Sequence, residues 1–381
     1  MKRKLSIIAF LAHHKTSKSV YAYEPYVREI QLWSEIYDKI IIYGHITSNC
    51  SKTNIIELPP NCKVKNLFLT PGPGLFRNIL RIFQLPLLFV QISYVYFNSK
   101  ILHLRTSGYP TIIVNLLNFI FNKPTMEKWA TNFPPDNGLG LLWKLNSKLL
   151  LKLSRNKTRV FTYNDINHPC FIETFPALFT NQEFNKLSLS NNTIKWKNIP
   201  FTYIIVSRLH PDKNIELIFE CVIKNKIFFI EKSIKINIVG DGPLINNFKE
   251  MILKFSLDKI IVLNGSANFY ETMNLIGLSN FLIMPGHNEG WAKVINESLM
   301  MNCVPIIIKG GNPERISKKF GYDDFLFENT ADDLLRVIKK TLNVELKTVN
   351  KLLNNGKKMN KGMTLEMYKK LILKTHNSII N

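Results

Sequence analysis

The chain reads as α/β, built from two doubly wound, Rossmann-like domains. Short, continuous apolar and β-branched strands alternate with helical stretches, the pattern of parallel sheets covered on both faces. The alternation comes in two runs, separated by the polar, Asn-, Ser- and Lys-rich stretch Asn181 to Asn198. A length of 381 residues also exceeds what one core usually supports. The expected division is a first domain over 1–185, a linker over 186–200, a second domain over 201–360 and a final helix within 361–381.

In the first run, strands are expected at Leu5–Phe10, Lys39–Tyr43, Ile101–Leu104 and Arg159–Tyr163. Helices are expected at Pro25–Ile36, Pro110–Phe121 and Leu139–Leu153. The second run is cleaner, with strands at Tyr203–Arg208, Lys235–Val239, Ile260–Leu263, Phe281–Met284 and Val304–Ile308. Ligands of doubly wound domains bind at the carboxyl ends of the strands, so the loops there carry the functional argument.

Composition narrows the classes. Five scattered cysteines (Cys50, Cys62, Cys170, Cys221, Cys303) form no Cys-x-x-Cys pair, which argues against a disulfide framework or zinc site and fits a reducing cytoplasm. The basic start Met1-Lys2-Arg3-Lys4 precedes a short apolar run that ends at His13-His14-Lys15, better read as a first strand than as a secretory signal. The longest apolar stretch, Asn78 to Phe97, is interrupted by Arg81, Gln84 and Pro86, short of the roughly 20 uninterrupted residues that span a bilayer. The net charge of +22 is spread over both halves and favours an anionic partner.

Three segments of the second half carry chemistry. In Ser207-Arg208-Leu209-His210-Pro211-Asp212-Lys213-Asn214, two cations follow a strand, and a helix is expected to begin near Asn214. Cations beside a helix start suit a diphosphate, Arg208 as a fork and Lys213 as a point charge. A solvated loop with incidental charges accounts for this segment equally well. The turn Gly240-Asp241-Gly242-Pro243 permits close backbone approach to a ligand, although an ordinary strand–helix turn reads the same way. In the stretch from Pro285 to Glu297, Glu289 follows a strand and Glu297 lies inside the next helix, so two carboxylates can accept hydrogen bonds from sugar and ribose hydroxyls. Gly290 allows the chain to pass close to a ligand there.

Taken together with Asn264-Gly265 after a strand and Gly310-Gly311-x-x-Glu314, these segments resemble the family-4 glycosyltransferases of the GT-B fold over roughly residues 200 to 330. The resemblance implies two Rossmann-like domains facing across a cleft, with the last helix crossing back to the first domain. It implies that Arg208, Lys213 and Glu289 are catalytic: the cations bind the donor diphosphate, and Glu289 contacts the transferred sugar. Gly240, Asp241, Gly265, Gly290, Trp291, Ala292 and Glu297 would complete the donor site. A retaining transfer from a UDP- or GDP-linked sugar is implied, with no metal, in keeping with the lack of an Asp-x-Asp. Trp291-Ala292 stands where relatives often have Phe-Gly, and Lys293 adds a charge beside the site or simply faces solvent.

The first half resembles the family less. His13, His103 and Arg105 are the candidate acceptor or sugar contacts, His103 having a buried sheet histidine as its other reading. On the helix expected around Leu139–Leu153, Lys144, Lys148, Lys152 and Arg155 share one arc beside Leu142, Leu145, Leu149 and Leu153. Such a helix can lie on an anionic membrane or serve as an ordinary domain helix. The expected protein is a cytoplasmic glycosyltransferase, peripheral on the inner face of the cell membrane, acting on a glycan or lipid-linked acceptor of surface polysaccharide. A nucleotide-sugar epimerase and a non-catalytic GT-B subunit remain as alternatives. No nucleic-acid-binding signature accompanies the charge.

Overall fold

Strands rich in Ile, Val and Leu, flanked by helices with one apolar face, assemble here into two mainly parallel sheets. The computed structural model describes residues 3–48, 55–70, 72, 74–105, 108–131, 133–134, 141–153, 157–189, 196, 201–286 and 289–380. The chain divides into two compact units, Met1–Phe175 with Met367–Asn381, and Pro176–Glu366. The boundary therefore falls earlier than the expected residue 185.

The first unit contains β1 (Lys4–Lys15), β2 (Val20–Tyr23), α1 (Glu24–Ile36), β3 (Lys39–Thr47), β4 (Ile55–Glu57), β5 (Cys62–Asn66) and α2 (Leu75–Asn98). It continues through β6 (Leu102–Arg105), α3 (Tyr109–Phe121), β7 (Thr125–Lys128), α4 (Leu141–Lys152), β8 (Thr158–Thr162) and β9 (Phe171–Glu173). β1 is central, parallel to β3 and β6, and the sheet extends through β7, β8 and β9 on one side. β2 and β4 add an antiparallel edge.

Strand alternation explains which residues each face buries. Leu102 and Leu104 of β6 join the cluster formed by Leu88, Ile92 and Val95 of α2 and Val114 of α3. His103 and Arg105, one residue out of phase, face α1, where His103 stacks on Trp33 and Arg105 meets Glu29. The helix α2 was not expected, because Pro86 sits inside it. A proline removes one helical hydrogen bond, but this one lies on the exposed side of the helix, which continues past it.

Helix α4 corrects a second expectation. Its inward face is Asn146, Ser147 and Leu150, whereas Leu145 is exposed and Leu142 and Leu149 are half-buried. The reason is a buried carboxylate: Glu127 of β7 accepts hydrogen bonds from Asn115 of α3 at 2.9 Å and Asn146 of α4 at 3.2 Å. Those demands turn the helix away from its leucine arc. Lys148 and Lys152 are exposed and Lys144 half-buried, while Arg155 lies outside the described residues.

The second unit holds α5 (Asn181–Leu189), β10 (Thr202–Val206), α6 (Glu216–Lys224), α7 (Lys226–Glu231), β11 (Lys235–Val239), α8 (Ile245–Phe255), β12 (Ile261–Gly265) and α9 (Phe269–Leu278). Then follow β13 (Phe281–Met284), α10 (Lys293–Met300), β14 (Val304–Ile308), α11 (Gly311–Phe320), β15 (Leu326–Phe327), α12 (Ala331–Leu342) and α13 (Leu346–Lys361). Its sheet is parallel in the order β12-β11-β10-β13-β14-β15. Helix α5 occupies the start of the stretch expected as a linker. The last helix, α14 (Leu365–Ile380), belongs to the first unit from Met367 on, where His376 bonds Tyr37 at 2.5 Å and Lys369 pairs with Glu35 at 2.6 Å.

Burial pushes the Glu127 carboxyl up from 4.5 to about 7, against the pull of its two amide donors. Between those values the folded chain holds a proton that the unfolded chain has released. The stability this proton represents is present below pH 4.5 and is lost as pH rises through 7. At about 1.4 kcal/mol per pH unit, the loss above pH 7 reaches about 3 kcal/mol. Glu127→Gln keeps the shape and never ionises. It should match the wild type in urea denaturation at pH 4.5 and exceed it by about 2–3 kcal/mol at pH 8. Equal stability of the two proteins at pH 8 would show that Glu127 ionises at little cost.

Candidate functional site

In the second sheet, β10 has β11 on one side and β13 on the other, so chain order reverses between β10 and β13. Loops leaving the carboxyl ends of such neighbouring strands diverge and open a crevice, the usual ligand position in doubly wound sheets. Both charged segments expected from the sequence leave these two strands.

After β10 the chain forms a short 3₁₀ turn, Pro211–Lys213, capped by His210. Asn214 is not the start of the next helix: it ends this turn in the left-handed conformation at φ 54°, and α6 begins at Glu216. Its amide instead donates to Pro285 O at 3.2 Å and Asn329 Oδ1 at 2.8 Å. This ties the loop after β10 to the loop after β13. With the two loops held together, Lys213 Nζ lies 2.6 Å from Glu289 Oε1 and 3.2 Å from Asp212. The lysine side chain is only 10% exposed and Glu289 25%. Arg208 stands largely in solvent, 3.7 Å from Asp212. Burial works against ionisation of Asp212, but Lys213, His210 and Arg208 hold its carboxyl below the ordinary value. A nearly buried ammonium beside an exposed guanidinium is an arrangement that can receive a diphosphate.

The glycine turn lies against the same loop. Gly240, at φ 145°, donates its N–H to Gly265 O at 2.7 Å, and Ser207 donates to Val239 O at 3.0 Å. A Cβ at Gly240 would overlap the Ser207 carbonyl oxygen, and one at Gly242 would overlap that of Leu209. Asp241 accepts from the Leu209 N–H through its carbonyl and from the Gly242 N–H through its carboxylate. The turn's glycines are thus required by contact with the loop that carries Arg208 and Lys213.

Around the second carboxylate, Gly290 is buried and its carbonyl accepts from Asn312 at 2.8 Å. Trp291 is buried, its indole N–H donating to Asn296 at 2.6 Å. Ala292 precedes the first turn of α10, within which Lys293 and Glu297 are both half-buried. His287 and Asn288 lie outside the described residues. Glu314 closes the start of α11 by accepting from Gly310 N–H at 2.6 Å. Asn214, Asn312 and Asn329 escaped sequence reasoning as positioning residues, since a side-chain amide that ties two loops leaves no spacing signature.

The acceptor contacts expected in the first unit are corrected by the structure. His103 is wholly buried, stacked on Trp33 at 4.3 Å with Nδ1 against Met126 O at 3.0 Å, and burial lowers its pKa to about 4. It is a core histidine. Arg105 is paired with Glu29 at 2.5 Å and lies over the Tyr26 ring. Lys128 joins the same carboxylate at 2.8 Å. Burial opposes ionisation of Glu29, yet the two cations hold its carboxyl well below the usual range. The charge of Arg105 thus serves a buried ion cluster. His13 is also buried, with its pKa lowered to about 4 by burial. Among the described residues no group of three His, Cys, Asp or Glu side chains is placed to hold a metal ion.

Residues 191–359 match the family model described as glycosyl transferases group 1. The matched stretch lies wholly within the second unit. Over 250 residues the chain is 21% identical to the GPI3 subunit of phosphatidylinositol N-acetylglucosaminyltransferase from Saccharomyces cerevisiae, covering 65% of this chain and 53% of that protein. It is 29% identical over 182 residues to the Escherichia coli UDP-Gal:alpha-D-GlcNAc-diphosphoundecaprenol alpha-1,3-galactosyltransferase, covering 45% and 46%. The chain thus spans about half the length of these curated relatives. Among solved structures, Anabaena Alr3699/HepE in complex with UDP and glucose superposes with a TM-score of 0.66 at 12% identity, over 99% of this chain and 100% of that one. That likeness shows the GT-B fold, two Rossmann-like domains with parallel sheets.

Two glycines separate steric from conformational cost. Gly240→Ala meets both a positive φ and a backbone atom, whereas Gly265→Ala at φ 68° meets a positive φ with open space around the new Cβ. Gly265→Ala should cost about 1–2 kcal/mol and Gly240→Ala roughly 3 or more, read from urea midpoints. Equal losses would mean that the Ser207 contact is relieved at no cost.

Proposed function

We propose that this chain transfers a sugar from a nucleoside diphosphate donor to a glycan or lipid-linked acceptor, with retention and without a metal, in building cell-surface polysaccharide. The observation that carries the reading is the meeting of Lys213 and Glu289 at 2.6 Å, at the carboxyl ends of the two strands where chain order reverses. The group 1 match over the same residues supports it.

The chemistry follows from charge and position. As the bond between the sugar's anomeric carbon and the diphosphate breaks, negative charge builds on the departing oxygen. Lys213 and Arg208 are the cations beside it; Lys213 is fixed before the reaction by Glu289 and nearly out of water, the setting in which electrostatic catalysis gains most, while Arg208 reaches in from solvent. Glu289, an acceptor of hydrogen bonds, orients the sugar by its hydroxyls, and Glu297 takes the ribose. Arrival of a donor requires Lys213 to share its contact with Glu289 between carboxylate and phosphate. Gly240, Asp241, Gly265, Gly290, Trp291 and Ala292 shape the surrounding backbone. UDP is the favoured nucleotide, in line with the UDP-bound HepE structure and the UDP-galactose-using E. coli relative. A lipid-linked acceptor places the protein on the inner face of the membrane, toward which the cations of α4 (Lys144, Lys148 and Lys152) would add attraction.

Thermal denaturation with a panel of nucleotides tests the first step, since UDP at 100 times its dissociation constant should add about 2.7 kcal/mol of stability. Lys213→Ala and Glu289→Ala should each lower transfer by about 10²–10³-fold while the variants keep the wild-type circular dichroism. Near-normal turnover in either variant, or acceptor-independent interconversion of nucleotide sugars, would overturn the reading.

A further inference from the structure

We propose that the outward faces of α2 and α3 form a docking surface for an anionic lipid bilayer, their apolar side chains seated among the acyl chains and a rim of cations among the headgroups. This goes beyond the transfer reading and rests on no part of it.

On α2, Phe76, Phe83, Leu87, Val90, Tyr94 and Phe97 follow one another at steps of seven, four or three residues and are all exposed, Phe83 by 76%. Steps of three and four keep side chains on one helical face, so this is a continuous apolar stripe pointing away from the sheet. The opposite face, with Leu88, Ile92, Val95 and Tyr96, is buried in the core. On α3, Phe119, Ile120 and Phe121 are also exposed, Ile120 by 72%. The two patches meet where Phe97 and Phe121 pack edge to face at 5.1 Å. Isolated exposed apolar residues need no explanation, but a two-helix apolar face of this extent does.

Charge selects the occupant. From Glu57 to Glu127 the chain has no acidic residue between, but seven cations, from Lys63 to Lys123. None of them falls between Arg81 and Lys100, so the stripe from Phe83 to Phe97 is uncharged. Arg77 and Arg81 mark the first half of α2, while Lys100 and Lys123 stand at its far end, Lys123 bonding Ser99 O at 2.5 Å and lying over the Tyr96 ring. A second copy docking through the same face would set this rim against itself with no acid to offset it. A bilayer of acidic lipids offers both an apolar interior and a negative surface. Residues Ile79–Asn98 are long and apolar enough to cross a membrane, with a mean hydropathy of 1.5. Crossing would strip Leu88, Ile92 and Val95 from Leu102 and Leu104 of the sheet, so the helix lies in the plane of the interface.

The test uses the full chain without nucleotide, so its outcome is independent of the transfer reading. Sedimentation with vesicles of phosphatidylglycerol and phosphatidylcholine should bind the protein at least tenfold better than pure phosphatidylcholine. Phe83→Glu with Val90→Glu should reduce this by tenfold or more, whereas Lys148→Gln with Lys152→Gln should reduce it less. Phe83→Trp reports insertion directly: its emission should shift to the blue and be quenched by brominated acyl chains. Absence of quenching, binding abolished by 1 M salt in every variant, resistance to alkaline carbonate extraction, or a dimer dispersed by the Glu variants would each overturn the proposal.

Discussion

Everything at the candidate site depends on one ion pair, Lys213 with Glu289 at 2.6 Å. Each partner comes from a different loop, and each is drawn well out of water. A charge withdrawn from water needs a partner close at hand, and a pair of this kind adds little net stability over apolar packing. Its value is positional. The pair forms only because β10 and β13 are neighbours in the sheet and Asn214 ties their loops through Pro285 and Asn329. Close packing of Gly240 on Ser207 and Gly242 on Leu209 then fixes the backbone behind Arg208. A ligand arriving there meets groups that need little rearrangement.

The two units use buried charge differently. In the first, Glu29 gathers Arg105 and Lys128 inside the sheet–helix layer, with Tyr368 of the last helix over the lysine. That cluster links α1, β6, β7 and α14 and leaves its cations committed. Glu127, one residue before Lys128 and on the opposite face, has only amide partners and becomes easier to protonate as a result. In the second unit the charged groups stand at strand ends, where Arg208 keeps most of its surface in water. Commitment in the first case and accessibility in the second follow from where alternation and loop closure place each side chain.

The second unit was the more legible half, because its strands are uniformly apolar and its charges lie just past their ends. There a linear motif and a spatial site nearly coincide, as Arg208, Lys213 and Glu289 show. The first half was harder for physical reasons. His103 and Arg105 occupy alternate positions on β6, and alternation says that they share a face without saying what covers it. Only the position of α1 reveals that the face is core. Helix α2 was hidden by Pro86, since a proline within a helical pattern argues for a break unless its ring can face outward. The leucine arc of α4 was misleading because Glu127, distant in sequence, imposes a polar inward face. The helix expected near Asn214 begins two residues on, at Glu216, because asparagine readily takes the left-handed conformation that ends the 3₁₀ turn.

The net charge of +22 gains meaning from its arrangement. A polyanion such as nucleic acid is held by cations spread along the contact surface itself. Between Arg81 and Lys100 the outward face of α2 has no charge at all, and its exposed side chains as far as Phe97 are aromatic or aliphatic. The cations stand around this face instead of across it. Phosphates laid over Phe83, Val90 and Tyr94 would lose water and gain no counter-charge, whereas acyl chains there would cover the apolar surface and leave the headgroups beside Arg77 and Lys100. Placement, more than the size of the charge, is what favours the proposed membrane surface over a nucleic acid for this half of the chain.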